Sequence, residues 1–145
     1  MKYWSHPTWD FLHSLTIKIR DDRFIYERQY ILQIINNVIM NLNCPMCKEN
    51  ALKNMSWKHL NKINSKNDLI LYIYNFHNWV NQKTNKPIQP FEIINQYYNK
   101  NFSRVYNNYI MMIQRTRAPD IMTNRRYHIR FTHTYFLKRG RSFWV

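Results

Sequence analysis

A chain of 145 residues, 45% hydrophobic and 17% aromatic, is long enough to bury a core and suits one domain; that composition excludes global disorder. One glycine against five prolines favours helices over a turn-rich β-sandwich. The net charge of +14 draws polyanions without saying which kind, while short apolar runs and an N-terminus without an apolar h-region set aside a membrane span and a secretory signal.

Trp4 to Ile19 reads as a first helix entered through Pro7, with Trp9, Leu12, His13, Thr16 and Ile17 at helical spacing. On periodicity alone Trp9 and His13 are core residues, the histidine with a satisfied hydrogen bond. Arg20 to Arg23 is a charged turn. Ile25 to Leu42 follows as a second helix, whose Ile31, Ile34, Ile35, Val38, Ile39 and Leu42 mark one buried face.

The chain's two cysteines come next, as Cys44-Pro45-Met46-Cys47, with Pro45 suited to the first turn of a third helix running to about Leu60. A thiol at a helix N-terminus meets the positive end of the dipole and free N–H groups, which favour the thiolate; a redox pair is the expected role. Zinc is the disfavoured alternative, because the nearest His-x4-His partner, His128 and His133, is over eighty residues away. Two buried structural thiols are the other.

Asn61 to Asp68 reads as a loop ending in a Ser65 or Asn67 cap. Leu69, Tyr72, Ile73, Phe76 and Val80 then mark the buried face of a fourth helix, beside which Tyr74, His77, Asn78 and Asn81 form a polar face. Spacing alone expects that face to meet water. Pro87 and Pro90 bracket the following turn, and Phe91 to Tyr98 reads as a short fifth helix.

Taken together, these pieces resemble the flavin-linked sulfhydryl oxidases of the Erv/ALR type, including the small versions carried by large DNA viruses. Trp4 followed by Trp9-Asp10-Phe11-Leu12-His13 is similar to that family's Trp-Gly-x-x-x-Trp-x-x-Leu-His, Cys44-Pro45-Met46-Cys47 to its redox pair, and His77-Asn78-Trp79-Val80-Asn81 to its His-Asn-x-Val-Asn, with Lys86-Pro87 at the usual Lys-Pro. The resemblance covers about residues 4–98. It implies an all-α fold, a four-helix bundle with a short fifth helix, over residues 1–100, usually a homodimer, holding FAD non-covalently. By the family pattern Thr8, Trp9 and His13, then Cys47, then His77, Asn78, Val80 and Asn81 would bind FAD. Lys83 or Lys86 would sit near its phosphates or ring edge, and Phe91 would replace the aromatic that stacks near the adenine.

The implied chemistry is thiol–disulfide exchange at Cys44 and transfer from Cys47 to FAD, with O2 as acceptor and hydrogen peroxide as product. Two departures stand out: Ser5 where the family often has Gly, and Asn50 where a His is common and where one FAD contact would be lost. No further cysteine is present to act as a shuttle, so a protein dithiol, or a thioredoxin-like relay protein, is expected to meet the pair directly. Disulfide catalysis without a signal peptide suits a virus assembling particles in the host cytoplasm, which makes virion proteins the expected substrates and the virion a second location.

Residues 101–145 form a basic, aromatic-rich extension outside the resemblance, with nine basic residues against one acidic. Phe102 to Ile113 reads as another helix and Arg115 to Arg126 as a basic connector, while the alternation of Tyr127, Ile129, Phe131, His133 and Tyr135 suggests a strand or extended arm. Its aromatics are expected to pack on the bundle or dimer with the charges solvated. The competing reading is a non-enzymatic nucleic-acid-binding or virion structural protein in which this segment grips nucleic acid or an acidic partner. A thioredoxin-like oxidoreductase fits less well, since that fold expects a strand before Cys-x-x-Cys.

Overall fold

A computed structural model describes residues 5–42, 49, 57–115 and 122–139. Seven helical elements and no strand element occur among them: α1 (Ser5–Lys18), α2 (Phe24–Met40), α3 (Trp57–Leu60), α4 (Lys66–Lys83), a 3-10 helix (Phe91–Asn99), α5 (Phe102–Arg115) and α6 (Met122–Arg139). The fold is an all-α bundle. Of the third helix expected from Pro45, Trp57–Leu60 is helical and nearly all the remainder, with Cys44, Cys47 and Asn50, lies outside the described residues, as does Trp4.

The bundle is built around α1. Every residue from Phe11 to Ile19 is buried, so this helix is covered on all sides rather than on the one face its spacing suggests. It packs against α2, α4, the 3-10 helix and α5. Its polar members therefore need partners inside: Thr16 bonds back to the His13 carbonyl at 3.0 Å, and Lys18 Nζ donates to the Tyr98 carbonyl at 2.8 Å. The six apolar positions read from the sequence, five on α2 and Leu42 just past its end, are all buried.

Side chains fix the crossings between these helices. Arg28 of α2 reaches the carbonyls of Ile63 and Asn61, holding the loop before α4. Lys66 Nζ, at the first position of α4, bonds the Ile19 carbonyl at 2.6 Å and Asp21 at 2.9 Å. Ser65 is the cap, accepting the Asp68 N–H at 3.0 Å with extended backbone. Ser65→Ala is expected to lower stability by about 1 kcal/mol, read as a fall in melting temperature of roughly 3 °C; an unchanged melting curve would show the cap to be idle.

The C-terminal segment joins the same core. Val105, Tyr109, Ile110, Met112 and Ile113 of α5 are buried with the bundle's apolar residues, and so is Tyr135 of α6. Packing of the tail's aromatics on the bundle is thus as expected for these residues. The expected strand or arm over 127–135 is not found: α6 is a helix packed on α2. Its buried stripe is Arg125, His128, Thr132 and Tyr135, spaced three, four and three apart. Three of those four are polar, so a count of apolar letters saw the alternating aromatics and missed the helical stripe. His128, Thr132 and Tyr135 find hydrogen-bond partners in one another or in the bundle. His128 Nε2 meets the Tyr109 hydroxyl at 2.9 Å, Thr132 Oγ1 lies 3.3 Å from His128 Nδ1, and the Tyr135 hydroxyl donates to Glu27 Oε2 at 2.9 Å.

Candidate functional site

At one side of α1, four flat rings from three elements come together. Trp9 stacks on His77 of α4 at 4.0 Å between centroids and 11° between planes. His13, one turn along α1, stacks on Tyr97 of the 3-10 helix at 4.4 Å and 14°. The two histidines meet nitrogen to nitrogen, His13 Nε2 to His77 Nδ1 at 3.0 Å, so one imidazole donates and the other accepts. The i, i+4 spacing of Trp9 and His13 puts both on one face of α1, and the helical registers of α4 and the 3-10 helix bring His77 and Tyr97 to it.

Both imidazoles are neutral at ordinary pH. Burial first, and then the neighbouring His77, lowers His13 to about 3; burial, then Lys86 and His6, lowers His77 to about 4. The core-histidine reading of His13 holds for one nitrogen only. Its ring is 1% exposed, and Nδ1 has no hydrogen-bond partner among the described residues. A buried polar atom left this way is costly unless something else supplies its partner.

Along α4 the polar face does not meet water as spacing suggested. The Tyr74 hydroxyl donates to the Gln89 carbonyl at 2.6 Å, while Asn78 grips the same residue twice, Nδ2 to its carbonyl and Oδ1 from its N–H, each at 2.9 Å. Asn81, buried, donates to Asn78 Oδ1 at 3.3 Å. The helix stops through paired backbone bonds, Lys86 N–H to the Asn81 carbonyl at 2.7 Å and Asn85 N–H to the Gln82 carbonyl at 3.3 Å, with Asn85 left-handed at φ 60°. That stop sets Lys86 close enough to His77 to disfavour its protonation.

The other expected site residues divide. Thr8 is buried on α1 beside Trp9. Val80 packs in the core, and its carbonyl accepts from the Thr84 hydroxyl at 2.8 Å. Lys83 lies over the Trp79 ring at 5.8 Å, away from the histidine pair in bonding if not in sequence. Phe91 is 44% exposed and meets Tyr74 edge-on at 5.2 Å. Cys44 and Cys47 lie outside the described residues. The histidines weighed as a zinc half-site point apart: His128 is buried against Tyr109, while His133 is exposed and paired with the Tyr106 hydroxyl.

The profile described as the Erv1 / Alr family matches residues 6–103, which contain all of this cluster. The chain belongs to the Erv1/Alr family. A protein of Invertebrate iridescent virus 3 named as a putative FAD-linked sulfhydryl oxidase is 30% identical over 87 residues, covering 59% of each chain. African swine fever virus proteins named FAD-linked sulfhydryl oxidase, from the Tick/Malawi and Pig/Kenya isolates, are each 32% identical over 88 residues, 61% of this chain and 73% of theirs. The match thus spans less than two thirds of the iridescent virus protein. No solved structure matches.

As an Erv1/Alr chain it carries one site feature that motif reading missed. Tyr97 supplies the outer layer of the stack, with its hydroxyl pushed above its ordinary value by burial first and Asp10 second. Ile94 and Tyr97, three apart in the Phe91–Asn99 segment and both buried, were the available signal. Fit to a flavin nucleotide rests on this chain's own features: stacked flat rings, neutral imidazoles and a buried Nδ1 needing a partner at the motif positions. Lys86 adds a cation nearby. These residues suit a flat heteroaromatic group bearing phosphates.

Proposed function

We propose that this chain is a FAD-dependent thiol oxidase that forms disulfide bonds in protein substrates. The observation that carries the reading is the buried His13 Nδ1, unpartnered among the described residues, within the Trp9–His77–His13–Tyr97 cluster. Trp9 and His77 would pack against FAD, His13 would bond it through Nδ1, and Lys86, with Lys83 further along, would balance its phosphates. Asn81 would support the site from α4, and Asn78 would act through the Gln89 connector it already holds.

Cys44 and Cys47 would form the working disulfide. A substrate thiolate attacks Cys44 Sγ, forming a mixed disulfide as the Cys44–Cys47 bond breaks and Cys47 leaves as a thiolate. The substrate's second thiolate then attacks the substrate sulfur of that mixed disulfide. The substrate leaves oxidised, with the electron pair held on the two enzyme thiols. Bound FAD supplies the two-electron acceptor that restores the enzyme disulfide, with O2 as the final acceptor and hydrogen peroxide as product. Virion proteins, or a thioredoxin-like relay, fit as the dithiol, and the enzyme would work as a homodimer in the host cytoplasm or virion.

The test is the visible spectrum of the purified protein with its released chromophore quantified. One FAD per chain is expected, and free FAD at about 100 times its dissociation constant is expected to add roughly 2.7 kcal/mol of stability. Cys44→Ala and Cys47→Ala are each expected to abolish peroxide-linked thiol oxidation while retaining the flavin. A folded, colourless protein whose melting is unmoved by added FAD would sink the reading.

A further inference from the structure

Between α2 and α6, with all its lining but Tyr30 beyond the 6–103 match, lies a groove of about 520 Å³. Among the described residues its apolar lining is aromatic: Tyr30 from α2, and Tyr127, Phe131 and Tyr135 from α6. Arg130 and Lys138 add two cations from α6, and among the described residues no acidic side chain lines it. Glu27 lies beneath at 1% exposure, held by Arg23 and by the Tyr135 hydroxyl.

We propose that this groove binds single-stranded nucleic acid, with a base stacked among the rings and flanking phosphates on Arg130 and Lys138. The volume suits one small ligand or one nucleotide. The buried Tyr135, fixed by its bond to Glu27, backs Tyr30 at 5.4 Å and 27°, and the faces open to a base are those of Tyr30, 41% exposed, and Tyr127, 55% exposed. Arg130 and Lys138, eight residues apart, stand about 12 Å from each other along the axis, so they can take separate phosphates rather than one. An acidic polypeptide would be met by the cations alone. Four aromatic rings, with no aliphatic neighbour among the described lining residues, favour a ligand with flat faces. The tail thus divides by helix, with Tyr106 and Tyr109 of α5 turned to Phe11 of the bundle and Tyr127, Arg130, Phe131 and Lys138 of α6 lining the groove.

The test uses the full chain and fluorescein-labelled oligothymidylate of twelve nucleotides, with anisotropy read over a salt series. Tyr127→Ala is expected to weaken binding at least about fivefold with an unchanged salt slope, and Tyr127→Trp to restore it. Arg130→Gln with Lys138→Gln should reduce the slope of log K against log salt by about 1.4, two phosphates' worth for a single strand. Lys58→Gln with Lys62→Gln removes the same charge at exposed positions elsewhere and should stay within twofold of the parent. Binding undisturbed by Tyr127→Ala, or lost equally in both lysine and arginine pairs, would overturn the proposal. So would oligoglutamate of equal length binding as tightly and depending on the same two cations, which would make an acidic polypeptide the occupant.

Discussion

Tyr109→Ala is expected to lower the unfolding free energy by about 4 kcal/mol, with a melting temperature roughly 12 °C below the parent's. Tyr109 is 1% exposed, and its ring stacks on Phe11 of the central helix at 4.5 Å and 15°. Truncation opens a cavity between α1 and α5 that neighbours fill only in part, and burying an aromatic side chain of this size contributes about 3–5 kcal/mol. It also strips the hydroxyl from His128 Nε2, a fully buried nitrogen 2.9 Å away. Tyr109→Phe separates the two effects: it keeps the ring and removes the bond, for an expected loss of about 1–2 kcal/mol. Urea denaturation of the three proteins decides it. A Tyr109→Ala protein within 1 kcal/mol of the parent would mean that α5 is a decoration rather than a wall of the core.

That joint explains why the sequence was informative about the bundle and less so about its C-terminal part. On α2 and α4 most buried positions are apolar, so periodicity marks them directly: Ile31, Ile34, Ile35, Val38 and Ile39, then Leu69, Ile73, Phe76 and Val80, are buried, with Tyr72 half-buried. Ser65 was readable because a cap depends on one side chain and the next three residues. Motif order brought Trp9, His13 and His77 together, and the structure stacks or bonds all three. The misses share a cause. On α6 the inward positions are Arg125, His128 and Thr132, and whether a polar residue faces inward depends on partners distant in sequence, here Tyr109 for His128. Glu27 is the same case, an acidic residue in a helix's first turn whose burial follows from Tyr135, 108 residues away. Asn78 was expected as a ligand residue from its neighbours, yet both its amide atoms are on Gln89, eleven residues on, where no local pattern records it.

Acidification is expected to unfold the protein through its buried histidines, with stability falling as pH drops from about 6.5 to about 4. His128 carries the plainest case. Burial lowers it to about 4, and its two nitrogens face the Tyr109 hydroxyl and the Thr132 hydroxyl. The unfolded chain binds a proton at the ordinary value near 6.5, whereas the folded chain refuses it until about 4, so the unfolded state holds more protons throughout that window. Stability therefore rises with pH there and is level above it. For His128 alone the difference across the window is on the order of 3 kcal/mol. His13, lowered to about 3 by burial and then by His77, and His77, lowered to about 4 by burial and then by Lys86 and His6, steepen the same slope. Urea midpoints from pH 7.5 to 4.5 measure it. His128→Gln should flatten part of the slope and leave stability at pH 7.5 within about 1.5 kcal/mol, because glutamine keeps hydrogen-bonding capacity and cannot titrate. An identical slope in that variant would place the proton uptake elsewhere. Because His13 Nε2 and His77 Nδ1 share one hydrogen bond, protonating the accepting imidazole sets two N–H groups against each other with no acceptor between them, and charging both rings sets two cations face to face. Flavin retention should therefore fall as pH approaches about 4, where His77 takes its proton.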